Sequence, residues 1–153
     1  MKLLKENNDA VFIFWFEDSL RQAEHYLVEM EIAGADLLTT REVSHSALIK
    51  NKKIFFAEHY PLRNKEQEFF DSLNLAETTV LSALDEPLFI NFGSDKIAGL
   101  LKQLGLKENE SIQHQMISAA IKNAQEKLER KIITEHSASS QAGWFQKNIA
   151  AEN

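Results

Sequence analysis

The run Val11-Phe-Ile-Phe-Trp-Phe16 constrains the fold of this chain more than any other feature. Every residue in it is apolar, and each is β-branched or aromatic. A strand with one face in water alternates polar and apolar residues. A strand buried on both faces reads as apolar throughout, as in a parallel sheet covered by helices. Glu17-Asp18 closes the run. Ser19-Leu-Arg-Gln22 then has the form of a capping box. Leu20, Ala23, Leu27 and Met30 follow at helical spacing. A buried strand leading straight into an amphipathic helix is the opening of a βαβ unit.

The rhythm repeats. Ala35–Thr40 reads as a second strand, Val43–Lys50 as a short helix or turn, and Lys52–Ala57 as a third strand. Pro61 suits the first turn of a helix, where its missing N–H is harmless. Leu62, Phe69, Phe70 and Leu73 share one face of that helix. Glu77–Leu84 reads as a fourth strand, ended before Pro87. The expected class is α/β, a small, mostly parallel sheet of about four strands with flanking helices. Beyond Pro87 the pattern turns helical. Ser94 is placed to cap a helix with Ile97, Leu101 and Leu104 on one face, and Gly105 to stop it. Lys107–Glu110 is a solvated loop. A long C-terminal helix is expected from Ser111 to about Ile132, with Ile117, Ala120, Ile121, Ala124, Leu128 and Ile132 as its apolar stripe. The remainder is small and polar except for Trp144, Phe145 and Ile149, and reads as a partly disordered tail. The expected division is 1–90 for the α/β part, 91–133 for a helical extension packed on it, and 134–153 for a flexible tail.

Bulk properties narrow the function. A chain of 153 residues suits one compact domain. It has no cysteine, hence no thiolate nucleophile and no cysteine-based zinc site. Its net charge of −6 argues against nucleic acid, whose binding is driven by phosphate neutralisation. The apolar run near the N-terminus is too short and too acidic at its flanks for a signal peptide. No stretch reaches the length of a membrane span. A cytoplasmic protein with a protein partner, or a second copy of itself, is the expectation.

One stretch carries a specific resemblance. Leu81-Ser-Ala-Leu-Asp-Glu-Pro-Leu-Phe-Ile-Asn-Phe-Gly-Ser-Asp-Lys-Ile-Ala-Gly99 resembles the end of the second nucleotide-binding domain of SecA, the protein-translocation ATPase family. The matching features are a strand ending in a serine and an acidic pair, an apolar segment, and an F-G-S-D-[RK]-I-A-G-like motif. The likeness continues through Leu104-Gly-Leu, Glu108, Glu110–His114, Met116, Ala120-Ile121 and Asn123–Gln125 to Lys127-Leu-Glu129. It is closest over Leu81–Lys131. Val11–Ile32 resembles the first strand and helix of the same domain more loosely, with Ala35–Val80 as a shortened middle. The resemblance implies a RecA-like half domain followed by the start of a helical scaffold. It does not imply ATPase chemistry. The chain has no G-x-x-x-x-G-K-[ST] motif. Where the family carries G-R-x-G-R-x-G, this chain reads Glu58-His-Tyr-Pro-Leu-Arg-Asn-Lys-Glu-Gln67. No catalytic residue, cofactor or metal is assigned, and nucleotide is not the expected ligand.

Two candidate surfaces remain. In open α/β sheets, ligands sit beyond the carboxyl ends of the strands. Glu17, Asp18, Arg41, Glu58, His59 and Asp85 fall there and form a candidate ligand crevice. Arg41 and His59 are its anion contacts. Acid/base work by His59 with Glu58 or Asp85 fits the residue types, but the spacing makes no demand for it. His25, His45, His114 and His136 are scattered, with no i,i+4 histidine pair to build a metal site. The second surface is the far end of the long helix with the tail. A helix of ~20 residues spans ~30 Å, about the width of a small domain. Leu128, Ile132, Trp144 and Phe145 are therefore expected to be uncovered and to bind a partner. The function expected is a non-catalytic SecA-like adaptor, linked to protein export. The alternative is a small-ligand or nucleotide-binding protein, or a subunit of a composite ATPase, using the strand ends.

Overall fold

The computed structural model describes residues 9–43, 46–75, 77–83, 85–92, 94–103, 105 and 115–149. His45, Leu104, the loop at Lys107–Glu110, His114 and the expected start of the long helix at Ser111 lie outside these residues.

Four strands form one all-parallel sheet in the order β2-β1-β3-β4. They are β1 (Ala10–Phe14), β2 (Asp36–Thr39), β3 (Lys53–Phe56) and β4 (Thr79–Val80). β1 lies between β2 and β3, with Ile13 opposite Leu38 on one side and Phe56 on the other. This position explains the apolar run, since every residue of β1 is buried. Side chains alternate along a strand, so β1 feeds two cores. Val11 and Ile13 pack with Val43, Ile49, Phe56 and Phe70. Ala10, Phe12 and Phe14 pack on the other face under Leu20 and Ala23. The helices are α1 (Glu17–Glu29), α2 (Thr40–Val43), α3 (Arg63–Leu73), α4 (Pro87–Phe92), α5 (Ser94–Gln103), α6 (Gln115–Glu129) and α7 (Gln141–Asn148).

Several expectations need correction. The fourth strand shrinks to Thr79–Val80. Pro61 lies buried just before α3, which begins at Arg63, and Leu62 takes the N-cap position. Ser19 does not cap α1. The helix begins at Glu17 with Phe16 as N-cap and no side-chain cap bond. The reason is Glu58, whose carboxylate draws in Ser19 and the backbone at the helix entrance, as described below. Pro87 opens α4, where its fixed φ suits the first helical position. Gly105 follows α5 with a φ of 72°, a left-handed geometry that ends a helix.

The largest correction concerns the C-terminal part. Residues 134–149 are not a loose tail. Ser140 accepts a hydrogen bond from the Gly143 N–H and caps α7. Trp144 is fully buried and Phe145 nearly so, in a third core with Phe16, Leu62, Leu88, Phe89, Ile97, Ile121, Ala124 and Leu128. Ile132 packs against the same cluster. The far end of the long helix is therefore covered by the chain itself. Leu128, Trp144 and Phe145 are interior residues, not the exposed anchors expected, because α7 folds back and shields them from water. Among the described residues, no helix is long and apolar enough to cross a membrane.

Candidate functional site

The third core sits over the carboxyl ends of β1 and β3. Phe16 follows β1, and Tyr60 and Leu62 follow β3, and all three pack against the C-terminal helices. The helices therefore roof the crevice in which open α/β sheets bind ligands. Between roof and sheet runs a seam of buried polar groups.

Glu58 begins it. Its carboxylate accepts hydrogen bonds from the N–H groups of Trp15 (3.1 Å) and Phe16 (3.0 Å) and from the Ser19 hydroxyl (2.7 Å). The two N–H groups stand where β1 turns into α1, and the first-turn N–H of Asp18 goes to the Ser139 carbonyl at 2.9 Å. Burial pushes the Glu58 carboxyl above its ordinary value, against the pull of its three donors.

Glu66, on the first turn of α3, is fully buried. One oxygen meets His59 Nδ1 at 2.8 Å and accepts from the Tyr60 N–H at 3.0 Å. The other accepts from the Gln125 amide at 2.8 Å and from Arg63 at 3.4 Å. The Gln125 amide also donates to the Tyr60 carbonyl at 2.7 Å. Gln141, the first residue of α7, accepts from the Leu88 N–H and donates to the His59 carbonyl, each at 3.0 Å.

Glu86 lies just before α4. It accepts from the Ala83 N–H at 2.7 Å, and the Gln141 side chain stands beside it. Burial pushes its carboxyl up to about 7, with the Ala83 N–H and the His59 charge pulling it back. At the outer end, Glu135 accepts from the Tyr60 hydroxyl, from Lys65 and from Trp144 Nε1. Burial alone would raise Glu135, yet these donors hold it below its ordinary value. Burial and the Glu135 carboxylate together push the Tyr60 phenol up.

The residues expected to share a crevice separate into groups. Glu58 and His59 enter the seam. Asp18 bonds the strap before α7, accepting from the Ser139 hydroxyl at 2.7 Å. Glu17 meets Arg41 at 3.5 Å on the surface. Asp85 is exposed, and its neighbour Glu86 takes the buried place. An open cleft of ≈350 Å³ remains beyond β1 and β2, walled by Trp15, Glu17, Thr39, Arg41, Ser139 and Lys147. Among the described residues, no group of three His, Asp or Glu is placed to hold a metal ion.

Comparison with known proteins finds one related segment. About a third of the chain matches the protein translocase subunit SecA of several bacteria. Identity is 47% over 49 residues with that of Acidithiobacillus ferrooxidans, covering 32% of this chain. It is 47% over 53 residues with that of Oleidesulfovibrio alaskensis (35% of this chain) and 55% over 47 residues with that of Ehrlichia ruminantium (31%). This segment is SecA-related. The match spans only 5–6% of the length of these relatives. No family model matches the chain. The stretch read as SecA-like, Leu81–Lys131, contains α4, α5 and α6. It therefore supplies Glu86, Leu88, Gln125 and Leu128 to the roof.

Sequence reasoning missed Glu66, Glu86, Gln125, Glu135 and Gln141. Two left a signal. Glu66 precedes Phe70 by one helical turn, and Gln125 lies between Ile121 and Leu128 at the same spacing. Both therefore stand within an apolar stripe, where a polar residue is a buried one that needs partners.

Proposed function

We propose that this chain is a non-catalytic, SecA-related interaction protein that works in the cytoplasm in connection with protein export. One observation carries this reading. The turn from β1 into α1 is occupied by Glu58, which accepts from the Trp15 and Phe16 N–H groups and from Ser19. A nucleotide phosphate brought there would displace a buried carboxylate and meet its charge. The turn from β1 into α1 is Trp15-Phe16, with no glycine to let a phosphate approach. The SecA-related segment supports the link to export, since the curated relatives are translocase subunits.

Calorimetric titration of the purified chain with ADP and ATP, with and without magnesium, tests the reading. No heat of binding is expected up to millimolar nucleotide. Micromolar binding would overturn it in favour of a nucleotide-binding protein or a subunit of a composite ATPase.

A small-ligand reading rests on the open cleft of ≈350 Å³ beside Arg41 and Lys147. It needs Arg41→Ala to weaken binding of whatever ligand a small-anion screen finds.

A further inference from the structure

Three carboxylates converge on the joint between sheet and roof. Glu58 follows β3, Glu66 lies on α3, and Glu86 stands just before α4. Two groups of opposite sign are in reach of them. Arg63 lies 3.4 Å from Glu66, and His59 Nδ1 lies 2.8 Å from it. The roof brings carboxamides to this cluster, Gln125 from α6 and Gln141 from α7. α1 brings the Ser19 hydroxyl, while its acids Glu17 and Asp18 turn to Arg41 and Ser139. Further out, Glu129 of α6 accepts from the Asn64 N–H, and Glu135 of the strap pairs with Tyr60, Lys65 and Trp144.

With His59 neutral, three negative charges would face one positive charge, Arg63. A buried charge without an opposite partner is costly, and binding a proton relieves it. The three carboxylates are not equally supplied. Glu58 has three donors, and Glu66 has four polar partners. Glu86 has the Ala83 N–H, with Gln141 beside it. It is the poorest seat for a charge and hence the natural place for the proton. Burial pushes its carboxyl up to about 7, and the Glu58 charge adds to that push. Glu86 also stands at the hinge of the roof. Two residues on, the Leu88 N–H is held by Gln141 of α7, and the Leu88 side chain packs in one core with Trp144.

We propose that Glu86 is a proton-operated latch: protonated, it lets the roof close over the strand ends, and loss of its proton to water loosens α7. With the roof closed, the proton is held up to about pH 7, whereas an exposed glutamate releases it near 4.5. The roof therefore closes most firmly on the acid side and loosens as pH rises through 7. Against the effect of burial, its donors hold Glu135 below its ordinary value, so it acts only at lower pH.

Amide exchange on the full chain at pH 6 and pH 8, corrected for the intrinsic exchange rate, tests this. The amides of α7 should be less protected than those of β1, because the roof opens by itself. Their protection should fall about tenfold from pH 6 to pH 8. In Glu86→Gln it should be higher at both values and independent of pH. Unchanged protection of α7 in wild type overturns the proposal. Equal protection of α7 and β1 overturns it too, since no separate opening then exists. A tenfold fall that survives Glu86→Gln moves the proton to another group, such as His59, and overturns the latch. If Glu86→Gln fails to fold, carboxyl-carbon NMR of wild type labelled at glutamate decides. One carboxyl should titrate near pH 7, and titration of all of them in the ordinary range overturns the proposal.

Discussion

β1 and the seam above it are both buried, but they are built from opposite materials. β1 is apolar along its whole length and draws its stability from area removed from water, which is non-directional. The seam is made of carboxylates, carboxamides and a histidine, each useful only when its partner stands at the right distance. The sheet therefore tolerates changes of shape, whereas the seam tolerates few changes of chemistry.

This contrast can be broken or sharpened by substitution. Glu66→Leu should have the largest effect, a loss of about 3–5 kcal/mol, because it strands buried partners on three sides. Urea denaturation reads it. A loss under ~1 kcal/mol would put the seam in the same class as the sheet.

Glu86→Gln should act in the other direction and depend on pH. The folded-state pKa of Glu86 is about 7, above the ordinary 4.5. Between those values the folded protein holds a proton that the unfolded chain has lost. Stability therefore falls as pH rises through that window. Glutamine removes this cost, so the variant should gain roughly 2–3 kcal/mol at pH 8 and nothing at pH 4. A gain that did not vary with pH would remove Glu86 from the account.

Phe56→Leu, in the heart of the sheet, should cost about 1–2 kcal/mol, since it leaves a small cavity and loses the ring contacts with Trp15, Phe69 and Phe70 but strands no polar group. A cost equal to that of Glu66→Leu would erase the distinction. The smallest effect belongs to the pair of Lys52 and Asp36, whose side chains are 36% and 54% exposed. Lys52→Ala should change stability by no more than ~0.5 kcal/mol, and by less in high salt.

The same contrast explains what could be read from the residues alone. The parallel sheet was legible because Val11–Phe16 and Lys52–Ala57 state their burial directly. α6 was legible as an amphipathic helix from Ile117, Ile121 and Leu128. α7 was not, because Gln141-Ala-Gly-Trp-Phe-Gln-Lys-Asn148 has weak helix propensity and little periodicity. Its cap, Ser140, was the available sign. Glu58 and His59 were found from the rule for strand ends, but their roles were not. Position in a strand says where a side chain emerges, not that Glu66 or the start of α1 waits for it. Glu86 was hidden behind Asp85, since two acids in a turn look equally wet until one is seen to fold inward.

The placement of the tryptophans has a spectroscopic consequence. The chain has two, Trp15 and Trp144. Their rings flank that of Tyr60, at centroid distances of 4.8 Å and 6.4 Å. Trp15 also packs on Phe56 and Phe69, whereas Trp144 packs on Phe145. Intrinsic fluorescence is therefore a gauge of this joint. Release of α7 would carry Trp144 into water and redden its emission, while Trp15 kept its aromatic neighbours on the sheet side. Loss of the sheet would redden both. A partial red shift followed by a second one, on a single emission trace, would separate the two events without any label.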